Sequence, residues 1–323
     1  MLDPGNPAHV AEAVEALVAG RLVAFPTETV YGLGADAGSD EAVARIYSAK
    51  GRPADHPLIV HVPSPAASHA LADAVPPMAR RLMDAFWPGP VTVIVPRRPG
   101  VASAAAGGQS TIGLRCPAHP VARALLEACV RRGLVGLAAP SANLFGRISP
   151  TTAQHVAGEF GDDVLVLDGG PCQVGIESTI IDCSRGHPVL LRPGTIARQR
   201  LEQVLGEPLR DRDEQAPRAS GTLEAHYAPR AKLRLMDARM LQSALDVLGD
   251  ARPPLAVYSR TARVPKGLLA RRMPDDAEQA ARELFAVLRE LDSHGVSLIW
   301  VESPPDTAAW DGVRDRLVRA AAA

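Results

Sequence analysis

Residues 21–34 read R-L-V-A-F-P-T-E-T-V-Y-G-L-G, and residues 50–62 read K-G-R-P-A-D-H-P-L-I-V-H-V. The first stretch predicts a strand over Leu22 to Phe25, stopped by Pro26. Thr27 and Thr29 place hydroxyls at its end. Gly32 and Gly34 permit a tight backbone, which an ordinary turn also explains. Ser39 is a good N-cap for a helix carrying Val43, Ile46 and Tyr47 at helical spacing. That helix ends at Lys50-Gly51-Arg52, and Pro53 blocks its continuation. A second strand, Leu58 to Val62, follows at once. Hydroxyls at one strand end and two cations beside the next strand make an anion pocket at a sheet edge. Lys50 and Arg52 equally suit the preference for cations at a helix C-terminus, so the pocket needs support from elsewhere in the chain.

Working outward, Asn6 and Pro7 cap a helix with Val10, Val14, Leu17 and Val18 inward, ended by Gly20. Helical patterns cover Pro65 to Ala74 and Pro77 to Phe86, and Trp87-Pro88-Gly89-Pro90 breaks the chain. Strands are expected at Val91–Val95, Thr111–Arg115, Leu134–Ala138, Val164–Leu167, Ser178–Cys183 and Val189–Leu191. Helices are expected at His119–Arg132, Thr152–Val156 and Thr195–Leu205. Strands and helices mix without strict alternation, which gives an α/β class with an open, twisted sheet of mixed direction.

Glu207 to Gly221 is charged and broken by Pro208 and Pro217, so it reads as a linker, with His226-Tyr227-Ala228-Pro229 just after it. A β-α-β rhythm then starts near Ala231, with strands at Leu255–Tyr258 and Ser297–Val301 and helices at Ala277–Leu291 and Asp311–Ala322. The expected organisation is a catalytic domain over 1–206, a linker over 207–230 and a smaller Rossmann-like α/β domain over 231–323.

Composition narrows the function class. The 323 residues exceed one ordinary core, and 46 % apolar with 22 % charged is globular. A formal net charge of -1 offers no general attraction for nucleic acid, and 4 % aromatics disfavour a stacking platform for single strands. Four cysteines, none in a C-x-x-C spacing, exclude a zinc-site reading and suit buried reduced thiols in the cytoplasm. No signal peptide and no run of membrane-spanning length is expected. The signatures G-x-x-x-x-G-K-[ST], G-x-G-x-x-G after a strand, G-x-S-x-G and H-E-x-x-H are all missing.

Polar residues nevertheless recur at strand ends and the turns after them. Thr29, His61, Thr111, Arg115, Ser141, Asn143, Ser178, Thr179 and Arg192 all fall there. With Lys50 and Arg52, the set holds four cations, several hydroxyls and little carboxylate. It suits a polyanion together with a small carboxylate, onto which Arg can fork. Singly, His61 also reads as a core histidine, and Ser141 and Asn143 as caps of a turn. The residues alone lead to an anionic, phosphate-bearing ligand without a named reaction.

P-T-E-T-V-Y-G-L-G, K-G-R, H-P-L-I-V-H-V, S-T-I-G-L-R-C-P, A-P-S-A-N, E-S-T-I-I-D and L-R-P-G, in that order, resemble the YrdC/Sua5 family over nearly the whole chain. The H-Y-A-P segment and the last α/β unit resemble its longer form. The resemblance implies synthesis of L-threonylcarbamoyladenylate from L-threonine, bicarbonate or CO2, and ATP, for t6A modification at position 37 of tRNA. It implies a threonine pocket of Thr29, His61, Arg115, the backbone near Ala139, and Ser178. It implies an ATP site of Lys50, Arg52, His56, Thr111, Ser141, Asn143, Ser149 and Arg192, with Tyr227 as a lid. Lys50 and Arg52 would be catalytic. Mg2+ would arrive on the ATP phosphates rather than in a protein cage, and the product would pass to the tRNA threonylcarbamoyl-transfer machinery. His56 departs from the family pattern, which has Asn there, although imidazole still donates a hydrogen bond. Two alternatives stand beside this reading. One is an RNA-binding module without catalysis. The other is a carbamoyl-transferring maturation enzyme, whose cysteine clusters this chain lacks.

Overall fold

Pro26, Gly51 and Gly89 punctuate a run of short strands whose helices are packed to either side. The computed structural model describes residues 1–249, 251 and 253–323. The chain divides into two units, the first made of Met1–Phe145 and Ser149–Thr222, the second of Gly146–Ile148 and Leu223–Ala323. Residues 207–222, expected as linker, therefore belong to the first unit.

The first unit contains, in order, α1 (Pro7–Val18), β1 (Val23–Phe25), β2 (Gly32–Asp36), α2 (Asp40–Lys50), β3 (Ile59–His61), α3 (Pro77–Phe86), β4 (Val91–Pro96), β5 (Thr111–Arg115), α4 (Pro120–Arg131) and β6 (Leu137–Ala138). It continues with α5 (Ala153–Phe160), β7 (Leu165–Val166), β8 (Thr179–Asp182), β9 (Val189–Arg192), α6 (Arg198–Leu205) and β10 (Arg210–Asp211). These ten strands form one sheet, ordered β10-β9-β8-β4-β5-β3-β6-β2-β1-β7. It is mixed, as expected: β3–β5 and β4–β8 are parallel, while β4–β5 and β8–β9 are antiparallel. Helices α1 and α4 cover Phe25, Leu137 and Leu167, and the larger apolar cluster on α2, α3 and α6 includes Ile46, Leu82 and Leu201.

Local chemistry explains the elements around the site. The Ser39 side chain accepts the Ala42 N–H at the start of α2, and Gly51 ends it in the left-handed region at φ 61°. Gly32 and Gly34, which fit a turn by sequence, instead lie in β2. A Cβ at Gly34 would come within 2.8 Å of the Phe25 ring, and one at Gly32 within 3.2 Å of Ala139. The glycines are there for close packing across the sheet.

The second unit holds β11 (Lys232–Met236), α7 (Ala238–Leu248), β12 (Leu255–Ser259), β13 (Leu269–Arg272), α8 (Ala277–Ser293), β14 (Leu298–Glu302) and α9 (Asp311–Ala321). Its sheet, β11-β14-β12-β13, is parallel throughout. Leu241 and Leu245 of α7 pack on Leu255 and Val257. No helix among the described residues is long and apolar enough to cross a membrane.

Because Phe25 is fully buried, Gly34→Ala should lower unfolding stability by about 1–3 kcal/mol, the usual cost of overpacking a core. An unchanged urea midpoint would remove this explanation of the glycine.

Candidate functional site

The carboxyl ends of β3 and β5 and the loop after β1 gather His61, Arg115 and Thr29. His61 and Arg115 are register partners on these adjacent parallel strands. Arg115, 3 % exposed, donates from Nη1 to Thr29 Oγ1 at 2.8 Å and from Nε to the Gly89 carbonyl at 3.3 Å. Thr29 Oγ1 lies 2.9 Å from Thr27 Oγ1, which donates to the Val30 carbonyl. The expected threonine residues on these elements therefore form one connected group.

A second group surrounds the A-P-S-A-N loop. Lys50, at the end of α2, donates to the carbonyls of Ser141, at 2.6 Å, and Asn143. Burial, then the neighbouring Arg52, push its pKa well down. The Lys50 side-chain nitrogen, by these two donations, braces the loop that carries Ser141 and Asn143. The same loop is stitched to β2 by a bridge between Gly32 and Ser141, and Ala139 N–H donates to the Ile59 carbonyl at 2.9 Å.

Arg52 and Arg192 come together on residues that the sequence suggested were linker. Arg192 donates from Nε and Nη2 to the Ser178 carbonyl, at 3.0 and 2.9 Å, and from Nη2 to Ser178 Oγ at 3.2 Å. Its Nη1 donates to the Ser220 carbonyl at 2.9 Å. Arg52 donates to the Pro57 carbonyl at 3.0 Å and, more weakly, to Ser220 Oγ at 3.5 Å. Its guanidinium also lies 5.5 Å from the centre of the Phe145 ring. Ala216 and Ala219 pack against Ile94, Ile180, Val189 and Leu191. Residues 218–220 line a cavity with Thr92, Gln109 and Thr111. Gln109 fixes this segment by donating to the Arg218 carbonyl and accepting the Arg218 N–H.

His56 stacks edge-on against Phe145 and its carbonyl accepts from Arg52 Nε at 3.4 Å. Its pKa is lowered by partial burial and then by Arg52. Tyr227 lies in the second unit, at φ 64°, with its ring 5.4 Å from Phe285 and the Arg316 guanidinium over it.

The expectation of little carboxylate needs correction. Two buried glutamates enter the site, and neither was among the expected residues. Glu28 pairs with Arg115 at 2.6 Å, and Glu177 accepts from Ser149 Oγ. Each is adjacent in sequence to an expected residue, Thr29 and Ser178, and that adjacency was the available signal. Among the described residues, no group of three His, Cys, Asp or Glu converges as a metal site.

His61 gives a test of the local electrostatics. Burial, then Arg115, push its pKa down to about 3, and its Nδ1 has no hydrogen-bond partner among the described residues. An unfolded His titrates near pH ~6.5. Between those values the unfolded chain binds the extra proton, so this residue's contribution to stability falls as pH drops from about 6.5 towards about 3. His61→Gln should flatten that part of the stability profile relative to wild type. Parallel profiles from denaturation at stepped pH would contradict a neutral buried imidazole.

Comparison with known proteins adds a family. The Sua5/YciO/YrdC family model, described as telomere recombination, matches residues 15–194. The model described as the threonylcarbamoyl-AMP synthase C-terminal domain matches residues 196–322. Threonylcarbamoyl-AMP synthase of Bacillus subtilis is 38 % identical over 98 % of this chain and 94 % of its own length. The protein of that name from Pyrococcus abyssi is 38 % identical over 93 % of this chain and 90 % of its own. A crystal structure of P. abyssi Sua5 complexed with L-threonine superposes with a TM-score of 0.90 at 36 % identity, covering 98 % of this chain and 95 % of that one.

Proposed function

Since this chain belongs to the Sua5/YciO/YrdC family in its two-domain form, we propose that it makes L-threonylcarbamoyladenylate from L-threonine, bicarbonate or CO2, and ATP. The observation that carries the reading in this molecule is the meeting of Arg52 and Arg192 on Ser220, together with a separate buried cluster of Arg115 and Thr29. One cluster suits a polyphosphate, the other an amino-acid carboxylate.

The chemistry requires two anions to react. The threonine amine attacks CO2, loses a proton and becomes a carbamate. A carbamate oxygen then attacks the α-phosphorus of ATP, and pyrophosphate leaves with the electrons of the broken P–O bond. Charge repulsion is the obstacle, so positioned cations are the appropriate catalysts. Arg52 and Arg192 are held partly by backbone carbonyls, which orient a guanidinium without cancelling its charge. Arg115 and Thr29 hold the amino acid, with His61 beside them and Ser178 on the Arg192 side. Thr111, Ser141, Asn143, Ser149 and His56 complete the proposed ATP site, and Tyr227 remains in it on the strength of the H-Y-A-P motif. Lys50 acts by bracing the Ser141–Asn143 loop. Mg2+ bound to the ATP phosphates would further neutralise their charge. The product goes to a threonylcarbamoyl-transfer step on tRNA, in the cytoplasm.

Incubation with Mg-ATP, bicarbonate and threonine should release pyrophosphate only when threonine is present. Threonine-independent or absent release would overturn the assignment. Arg115→Lys keeps a cation beside Glu28 but loses the fork. It should weaken threonine binding roughly 10- to 100-fold, equivalent to the ~1.5–3 kcal/mol of a charged hydrogen bond, and leave ATP affinity nearly unchanged. Arg192→Ala should do the reverse. Calorimetry showing equal losses for both ligands in either variant would contradict the division into two clusters.

A further inference from the structure

We infer that Glu28 is a positioning residue for the amino-acid substrate, setting the attitude of the Arg115 guanidinium that receives the threonine carboxylate. The inference rests on the threonine site proposed above and adds a residue to it.

The guanidinium of Arg115 is held on three sides. Its Nε donates to Gly89 O, its Nη1 to Thr29 Oγ1 and its Nη2 to Glu28 Oε1, the last at 2.6 Å. A guanidinium carries five N–H groups, so one remains on each terminal nitrogen. Two such groups on a planar fork match the two oxygens of a carboxylate. Their direction depends on the three fixed bonds, and the bond to Glu28 is the shortest of these and the charged one.

Glu28 is itself anchored independently of Arg115. Its Oε2 accepts the Ala118 N–H at 3.0 Å, just beyond β5. Its main-chain carbonyl accepts the Val174 N–H at 2.7 Å, in the loop that leads to Ser178. The side chains of the pair are 4 % and 7 % exposed for Arg115 and Glu28, so water does little to reorient either. The electrostatics point the same way. Pairing with Glu28 makes this corner of the site neutral as a unit, and what it offers a ligand is direction. An amino acid, whose own charge is balanced, suits such a corner better than a phosphate does.

Glutamine cannot replace this carboxylate. One of its terminal atoms accepts from Arg115, and the other, an NH2, would face the Ala118 N–H donor to donor. Aspartate keeps the charge but withdraws it by one methylene.

Steady-state pyrophosphate release by the full chain, varying threonine and then ATP, tests the inference on Glu28→Gln and Glu28→Asp. Glu28→Gln should raise the KM for threonine about tenfold or more while the KM for ATP stays within about twofold, since misdirecting a clamp removes substrate positioning. Glu28→Asp should recover part of that loss. An unchanged threonine KM, or equal changes in both KM values, in a folded variant would overturn the role. If Glu28→Gln fails to fold, Glu28→Asp carries the same comparison. Failure of both to fold would assign the pair to stability alone and also overturn it. A wild-type chain that shows no threonine-dependent release would fail earlier, without any substitution, and would remove the proposed function together with this inference.

Discussion

Lys50, Arg52, Arg115 and Arg192 are each less than a tenth exposed, and all four lie in the first unit. A buried cation loses its hydration and must be repaid by hydrogen bonds or opposite charge. How each one is satisfied decides what it can do. Lys50 donates to two carbonyls of one loop, so its donors are used in holding that loop. Arg115 has a carboxylate, which fixes its plane and cancels its charge. Arg52 and Arg192 donate to carbonyls and a serine hydroxyl, partners that a more strongly accepting phosphate oxygen can outcompete. Buried cations therefore serve three purposes within the first unit.

The sheet makes this possible through close approach. Phe25, Gly34, Gly32 and Ala139 pack backbone against ring and methyl, leaving the loops after β1 and β6 side by side. Thr29 follows β1 and Ser141 follows β6, and the Gly32–Ser141 bridge joins the strand between them to that second loop. The Tyr31 N–H and the Leu33 N–H donate to Pro150 O and Pro140 O, which ties the loops further to β2.

This logic also marks what could be read from the sequence. The Ser39 cap, the Gly51 stop, the apolar cores of β1, β3, β4, β5 and β8, and the cations themselves obey local rules. The strand β2 does not, because G-L-G-A-D has no β-branched residue, and its reason for being a strand is Phe25 on the neighbouring strand. Glu28 and Glu177 are not legible as site residues in the sequence, because a carboxylate looks out of place among cations suited to an anion. Its meaning depends on which cation or hydroxyl it faces, and that is settled by strand pairing. Residues 207–222 have the charge and proline content of a linker. Their place in the first unit comes from Ala216 and Ala219 packing on β8 and β9 and from the edge pairing of β10 with β9, contacts that no local window contains.

The second unit also buries charge, including a carboxylate at the carboxyl end of its sheet. In parallel α/β sheets, the crevice at the carboxyl ends of the strands is where phosphate-bearing ligands usually sit, on backbone N–H groups. Here the N–H groups of Arg260 and Thr261, at the end of β12, donate to Glu302 Oε2 at 2.8 and 2.7 Å. Thr261 Oγ1 donates to Oε1 of the same carboxylate, and these bonds lower its pKa against the opposing effect of burial. The chain's own carboxylate thus takes the donors that an external anion would use, and Glu302 is 1 % exposed. Arg52 and Arg192 of the first unit donate to carbonyls and serine hydroxyls, whereas Glu302 of the second sits on backbone donors already committed to it. With those donors taken, the carboxyl end of β12 offers an external anion fewer backbone N–H groups.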